Sequence, residues 1–186
     1  MVEPKPLIAE LDRLEDIGSG REGQLLLDKN ERTIPYPDGV VSAIYDTISP
    51  IEFTRYPDQA ILYEKLSTFL GLNSENLLLS NGADSALKAV FDTFISSADE
   101  IICPNPTYAM INVYTRMFGC QEKGILFTEQ LELDFDALLS SISGDTRSVI
   151  LPNPNQPTGT ILRSYEIIQL LEKTASHDVL LVLDEA

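Results

Sequence analysis

Beyond Asn76 the chain alternates short apolar runs with stretches of helical period, and this alternation leaves few folds open. Strands are expected at Leu77 to Leu79, Glu100 to Cys103, Gly124 to Phe127, Ser148 to Leu151 and Val179 to Leu183. Between them the spacing predicts helices from Ala83 to Ile95, Tyr108 to Phe118, Asp134 to Ile142 and Ser164 to Ala175. A run such as Ser148-Val149-Ile150-Leu151 points apolar side chains to both sides of a strand, so both faces must be covered. Connections long enough to hold a helix let successive strands run parallel. The expected fold is therefore α/β: a three-layer, mostly parallel sheet with helices on both faces. With 186 residues, 44% of them hydrophobic and 23% charged, the chain has the material for such a core.

The residues before Asn76 read differently. An amphipathic helix is expected around Leu7 to Leu14, followed by the glycine- and charge-bearing Gly18 to Gly23, and prolines at 35 and 37 keep the next stretch extended. Gly39 to Ile48 is a short helix candidate. Asp58 is expected to cap a helix carrying Ile61, Leu62, Leu66, Phe69 and Leu70, ended by Gly71. Residues 1–36 thus read as an arm and loop and residues 37–186 as a larger domain. That domain is expected to be incomplete, because Ala186 follows directly on an apolar strand.

Charge narrows the partners. Thirteen Lys and Arg stand against 29 Asp and Glu, and a formal charge of −16 repels nucleic acid and anionic membranes, so an anionic ligand needs a local site. Cys103 and Cys120 have no metal-type spacing and make no disulfide framework. The amino terminus lacks an apolar secretory core and no apolar run reaches the length of a membrane span, so a cytoplasmic location is expected. The single histidine, His177, lies in a polar setting with no Ser/His/Asp or metal constellation around it.

Three stretches at strand ends carry the chemistry. In Leu151-Pro152-Asn153-Pro154-Asn155-Gln156-Pro157-Thr158-Gly159, three prolines and a glycine forbid regular structure and stiffen a loop at a strand's carboxyl end, where open α/β sheets bind ligands. Cys103-Pro104-Asn105-Pro106-Thr107-Tyr108 repeats the design, and Tyr108 either stacks on a planar ligand ring or packs in the core. Asp184 adjoins the last strand, where it either pairs with a cationic nitrogen or is an exposed loop charge. A fourth stretch, Ser80-Asn81-Gly82-Ala83-Asp84-Ser85, opens a helix. Its Ala83 and Asp84 amides are natural phosphate donors, but on this motif alone capping of those amides by Asp84 and Ser85 is the expected reading. One glycine does not make a dinucleotide fingerprint.

Asn-Gly-Ala-Asp at 81 to 84, Pro-Thr-Tyr at 106 to 108, Asn-Pro-Asn-Gln-Pro-Thr-Gly at 153 to 159 and Asp-Glu-Ala at 184 to 186 resemble, in order and spacing, the fold-type I pyridoxal-phosphate aminotransferases. Leu27-Asp28-Lys29-Asn30-Glu31 and Arg55-Tyr56-Pro57-Asp58 are similar to the amino-terminal signatures of the histidinol-phosphate subfamily. The resemblance runs from Leu25 to Ala186. It implies that pyridoxal 5'-phosphate is held through its phosphate by the Ala83 and Asp84 amides, with Tyr108 stacked on its ring. It further implies that Asp184 pairs with the ring nitrogen, that Tyr56 reaches the phosphate of a neighbouring subunit in a homodimer, and that Asn30 and Glu31 border the substrate pocket. The implied reaction moves an amino group between glutamate and 2-oxoglutarate on one side and histidinol phosphate on the other, in histidine biosynthesis. A related decarboxylase of the threonine-phosphate type shares these motifs, and a binding or regulatory role without chemistry is the other alternative.

The sequence departs from the family's pattern in two places. Gln156 stands where an asparagine usually donates to the cofactor's phenolic oxygen, with Asn155 one place earlier. Asn155 is the expected donor and Gln156 is expected to turn outward. Ser85 stands where the subfamily usually has glutamate. The Schiff-base lysine, the tyrosine usual after Asp-Glu-Ala and the substrate arginines of this family lie beyond the position matching Ala186, so residues 1–186 alone are expected to be inactive.

Overall fold

The computed structural model describes residues 2, 6–9, 23–26 and 31–186. The expected helix beyond Ala9, the stretch Gly18 to Arg21, and Leu27 to Asn30, Asn30 among the expected pocket residues, lie outside the described residues. Two compact units emerge, one formed by Leu79–Ala186 with Met1–Arg13 and one by Leu14–Leu78.

In the smaller unit, α2 (Val40–Thr47) is followed by a 3-10 turn at Pro50–Thr54 and by α3 (Ala60–Leu70). Gly71 closes α3 in the left-handed conformation, φ 67°, as its position predicted. Asp58 is not the cap itself. Gln59 holds that place, and the Asp58 carboxylate accepts from the Ala60 amide at 3.0 Å, a local turn one residue further out.

The larger unit contains α1 (Pro6–Ala9) and then alternates α4 (Gly82–Phe94), β1 (Glu100–Asn105), α5 (Ala109–Phe118), β2 (Gln121–Leu126), α6 (Phe135–Ser141), β3 (Thr146–Pro152), α7 (Ser164–Ser176) and β4 (Leu180–Asp184). All strand pairs are parallel, in the order β2-β1-β3-β4. Successive residues of a strand face opposite sides, and the core divides accordingly. Ile101, Cys103 and Ile150 pack with Leu87, Phe91 and Ile95 and with Met110, Ile111 and Tyr114 of α5. Ile102, Val149 and Leu151 pack on the other side with Leu138 and Ile142 and with Leu170 of α7. Helices on both faces of a parallel sheet are the expected three layers.

One expected strand is absent. Residues 77–79 are no part of the four-stranded sheet and follow the 3-10 turn at Ser74–Asn76 as extended chain. No helix among the described residues is long and apolar enough to cross a membrane.

The strand order creates the place for a ligand. From β1 the chain moves outward through α5 to β2. It then returns past β1 through α6 to β3, and continues in the opposite direction through α7 to β4. The order reverses between β1 and β3, the switch point where open parallel sheets form a crevice at their carboxyl ends. Here β1 stays paired with β2 through Asn105↔Leu126, whereas its ladder with β3 ends at Ile102↔Val149, two residues before Pro104.

Candidate cofactor site

The loops after β1 and β3, the end of β4 and the start of α4 supply the candidate residues. Gly82 opens α4 at φ +80°, a conformation that suits glycine, and no atom lies within 4 Å of where its Cβ would stand. No side chain caps the first turn. The Ser85 hydroxyl donates back to the Asn81 carbonyl at 3.1 Å, and Ser80 Oγ donates to the Gly82 carbonyl at 2.9 Å. The Asp84 carboxylate is also turned away from its own helix, since the Tyr108 phenol donates to Asp84 Oδ1 at 2.7 Å. Tyr114 Oη donates to the Asp84 carbonyl at 3.3 Å. Capping by Asp84 and Ser85, the simpler of the two sequence readings, is therefore not what the first turn does. The N-cap Asn81 makes no side-chain cap bond either, so the positive end of the helix dipole carries no cap of its own.

Tyr108 ends the loop after β1, half-buried, immediately before α5. It lies at the edge of the α4–α5 core rather than inside it, its ring packed against that cluster and its hydroxyl engaged with Asp84. Asp184 is the last residue of β4 and half-buried. Its carbonyl accepts from the Asn153 amide at 2.8 Å and its Oδ1 from the Ala186 amide at 3.1 Å. Asn153 Oδ1 in turn accepts from the Leu162 amide at 2.8 Å, so both ends of the proline loop are pinned.

Inside that loop the two amide side chains separate. Asn155 is 5% exposed and Gln156 is exposed. Asn155 Nδ2 donates to Thr158 Oγ1 at 2.9 Å and to the Pro106 carbonyl at 3.2 Å. Local spacing holds no signal of the Asp84–Tyr108 and Asn155–Pro106 contacts, which join residues 24 and 49 apart, and sequence reasoning missed both. Glu31 and Tyr56 belong to the smaller unit, and both are exposed.

Neither cysteine offers a competing nucleophile. Both thiols are free. Burial, with the Glu122 charge second, pushes Cys103 up to about 12, and burial with the Asp99 charge second pushes Cys120 up to about 11. No cluster of metal-ligating side chains occurs among the described residues.

An uncapped helix start, an aromatic ring and a carboxylate thus stand on the elements of an α/β domain with a parallel sheet. The chain belongs to the aminotransferase class I and II family, whose model matches residues 22–186. A histidinol-phosphate aminotransferase from Thermoanaerobacter sp. (strain X514) is 29% identical over 163 residues, covering 86% of this chain and 46% of the relative. Histidinol-phosphate aminotransferase 2 of Pasteurella multocida (strain Pm70) is 34% identical over 162 residues, covering 86% and 43%. Among solved structures, the histidinol-phosphate aminotransferase of Sinorhizobium meliloti in complex with pyridoxal-5'-phosphate matches with a TM-score of 0.70 and 21% identity, over 81% of this chain and 41% of that one. The chain thus spans about half the length of the curated relatives it matches.

Proposed function

We propose that a protein carrying this chain at the length of its relatives is a pyridoxal-phosphate-dependent aminotransferase. Its reaction moves an amino group between glutamate and 2-oxoglutarate on one side and histidinol phosphate on the other, in histidine biosynthesis. The observation that carries this reading is the uncapped first turn of α4, with Tyr108 bonded to its Asp84, in a sheet whose switch point lies between β1 and β3. These residues fit the cofactor: the Ala83 and Asp84 amides would hold its phosphate, Tyr108 would lie on its ring, and one amide of the pair Asn155 and Gln156 would serve its phenolic oxygen. When bound, pyridoxal phosphate supplies a ring that accepts the electron pair left as the substrate's α-proton departs. The Asp184 carboxylate holds a proton on the ring nitrogen and so keeps the ring able to accept that pair. Asn30 and Glu31 border the substrate. The lysine and arginines that complete the site in this family lie outside residues 1–186, which by themselves would be inactive.

The protein is taken to be cytoplasmic and homodimeric, with residues 1–36 as an arm and 37–186 as part of the cofactor-binding domain. Tyr56 is fully exposed, with Phe53 and Phe69 of the same unit also open to solvent, which suits a side chain that serves a neighbouring subunit.

The full-length protein reconstituted with cofactor is expected to be yellow, and borohydride to fix the chromophore to the chain covalently. A colourless protein overturns the enzyme reading in favour of a binding role. Release of carbon dioxide without a keto acid would identify the decarboxylase instead. A separate experiment tests the shared site: heterodimers of Tyr56→Phe with a variant lacking the anchoring lysine, each inactive alone, are expected to regain part of the activity. Demonstrated heterodimers without activity exclude that role for Tyr56.

A further inference from the structure

We infer that Asn155 is a positioning residue, a staple that ties the loop after β3 to the loop after β1 across the crevice, and not a cofactor ligand. The ladder between β1 and β3 ends at Ile102↔Val149, and past that point the Asn155 Nδ2 bond to the Pro106 carbonyl joins the two sides at 3.2 Å. A side-chain amide has two N–H groups. The second donates to Thr158 Oγ1 at 2.9 Å, so neither is left for a ligand.

The orientation of the amide follows from its surroundings. Thr158 can donate or accept, but the Pro106 carbonyl only accepts, so nitrogen must face it. Asn155 Oδ1 is left buried without a hydrogen-bond partner. A group oriented against the needs of its own oxygen is one whose nitrogen is required where it is.

The main chain of Asn155 anchors the same point. Its amide donates to the Thr160 carbonyl at 2.8 Å and its carbonyl accepts from Gly159 at 2.7 Å, which closes the proline loop on itself. The side chain therefore carries a rigid loop, and through Pro106 it sets where Tyr108, two residues on, can lie. The staple rests on geometry alone; its effect on cofactor binding rests on the function proposed above.

The test has two arms, both on the full-length protein. In ligand-free protein, hydrogen exchange is measured at the Ile111 amide, which donates to the Tyr108 carbonyl at 3.0 Å. Asn155→Ala and the gentler Asn155→Ser should speed it by about tenfold, the loss of roughly one buried hydrogen bond. Thr158→Ala, which keeps the Pro106 bond, should not, and amides of β2 should keep their rates in all three. An unchanged Ile111 rate in both Asn155 variants overturns the staple whether or not any cofactor binds. In the second arm, pyridoxal phosphate affinity is measured by equilibrium dialysis. Wild-type protein that binds none overturns the proposed function and leaves the first arm to decide the staple. With binding present, Asn155→Ala should weaken it by about tenfold, and that loss should vanish in a Tyr108→Ala background, because the effect passes through Tyr108. An undiminished loss in that background means that Asn155 touches the cofactor itself and overturns the positioning role.

Discussion

Asp184→Ala is expected to lower turnover of the full-length enzyme by about two to three orders of magnitude, the scale on which removing a single electrostatic partner of the reacting group acts. The fold should hardly notice. What Asp184 contributes to the sheet is its main chain: it pairs with Pro152 in the β3–β4 register, and its carbonyl accepts from the Asn153 amide at 2.8 Å. Alanine keeps both. The side chain contributes one hydrogen bond from the exposed Ala186 amide, and losing it should move Tm by no more than about 2–4 °C. Turnover and thermal unfolding measured on the same sample separate the two effects. Undiminished turnover would make Asp184 an ordinary charge at the end of β4 and remove the proposed partner of the ring nitrogen.

The largest effect on stability should come from Phe91→Ala, with a loss of about 3–5 kcal/mol in denaturant unfolding. Phe91 is fully buried on α4, with ring centroids 5.6 Å from Tyr114 and 5.4 Å from Phe118 of α5. Alanine would leave a cavity between the two helices that straight-backed neighbours cannot fill. The consequence reaches the site, because Tyr114 also donates to the Asp84 carbonyl in the first turn of α4. A loss below about 1 kcal/mol would mean that the α4–α5 contact is not part of the core.

Strands buried on both faces were the most legible part of the sequence. Ile101-Ile102-Cys103 and Ser148-Val149-Ile150-Leu151 read as continuous apolar runs because α4 and α5 cover one side and α6 and α7 the other. The start of β2 was not legible: Gln121-Glu122-Lys123 is polar, and Gln121 and Glu122 are exposed, so no apolar run marks the strand before Gly124. Leu77 to Leu79 failed in the opposite sense, with the composition of a strand but no place in the four-stranded sheet. Of the candidate site, the individual stretches could be read because proline and glycine punctuate them. Which side chain touches which could not, since Tyr108 finds Asp84 and Asn155 finds Pro106 only after the sheet has brought distant loops together. The sequence likewise held no sign that the Asn155 amide bonds to Pro106 and Thr158, since a free amide and a bonded one have the same letter.

Pro104 has a consequence beyond stiffening its loop. A strand at the centre of a sheet ordinarily offers an N–H at every residue, and Pro104 has none to offer where β1 leaves β3 behind. Pro104 nevertheless stays in register with Ile125 of β2, so β1 is held as a strand along one flank after its other flank has let go of β3. One strand thus serves as wall on one side and as rim on the other.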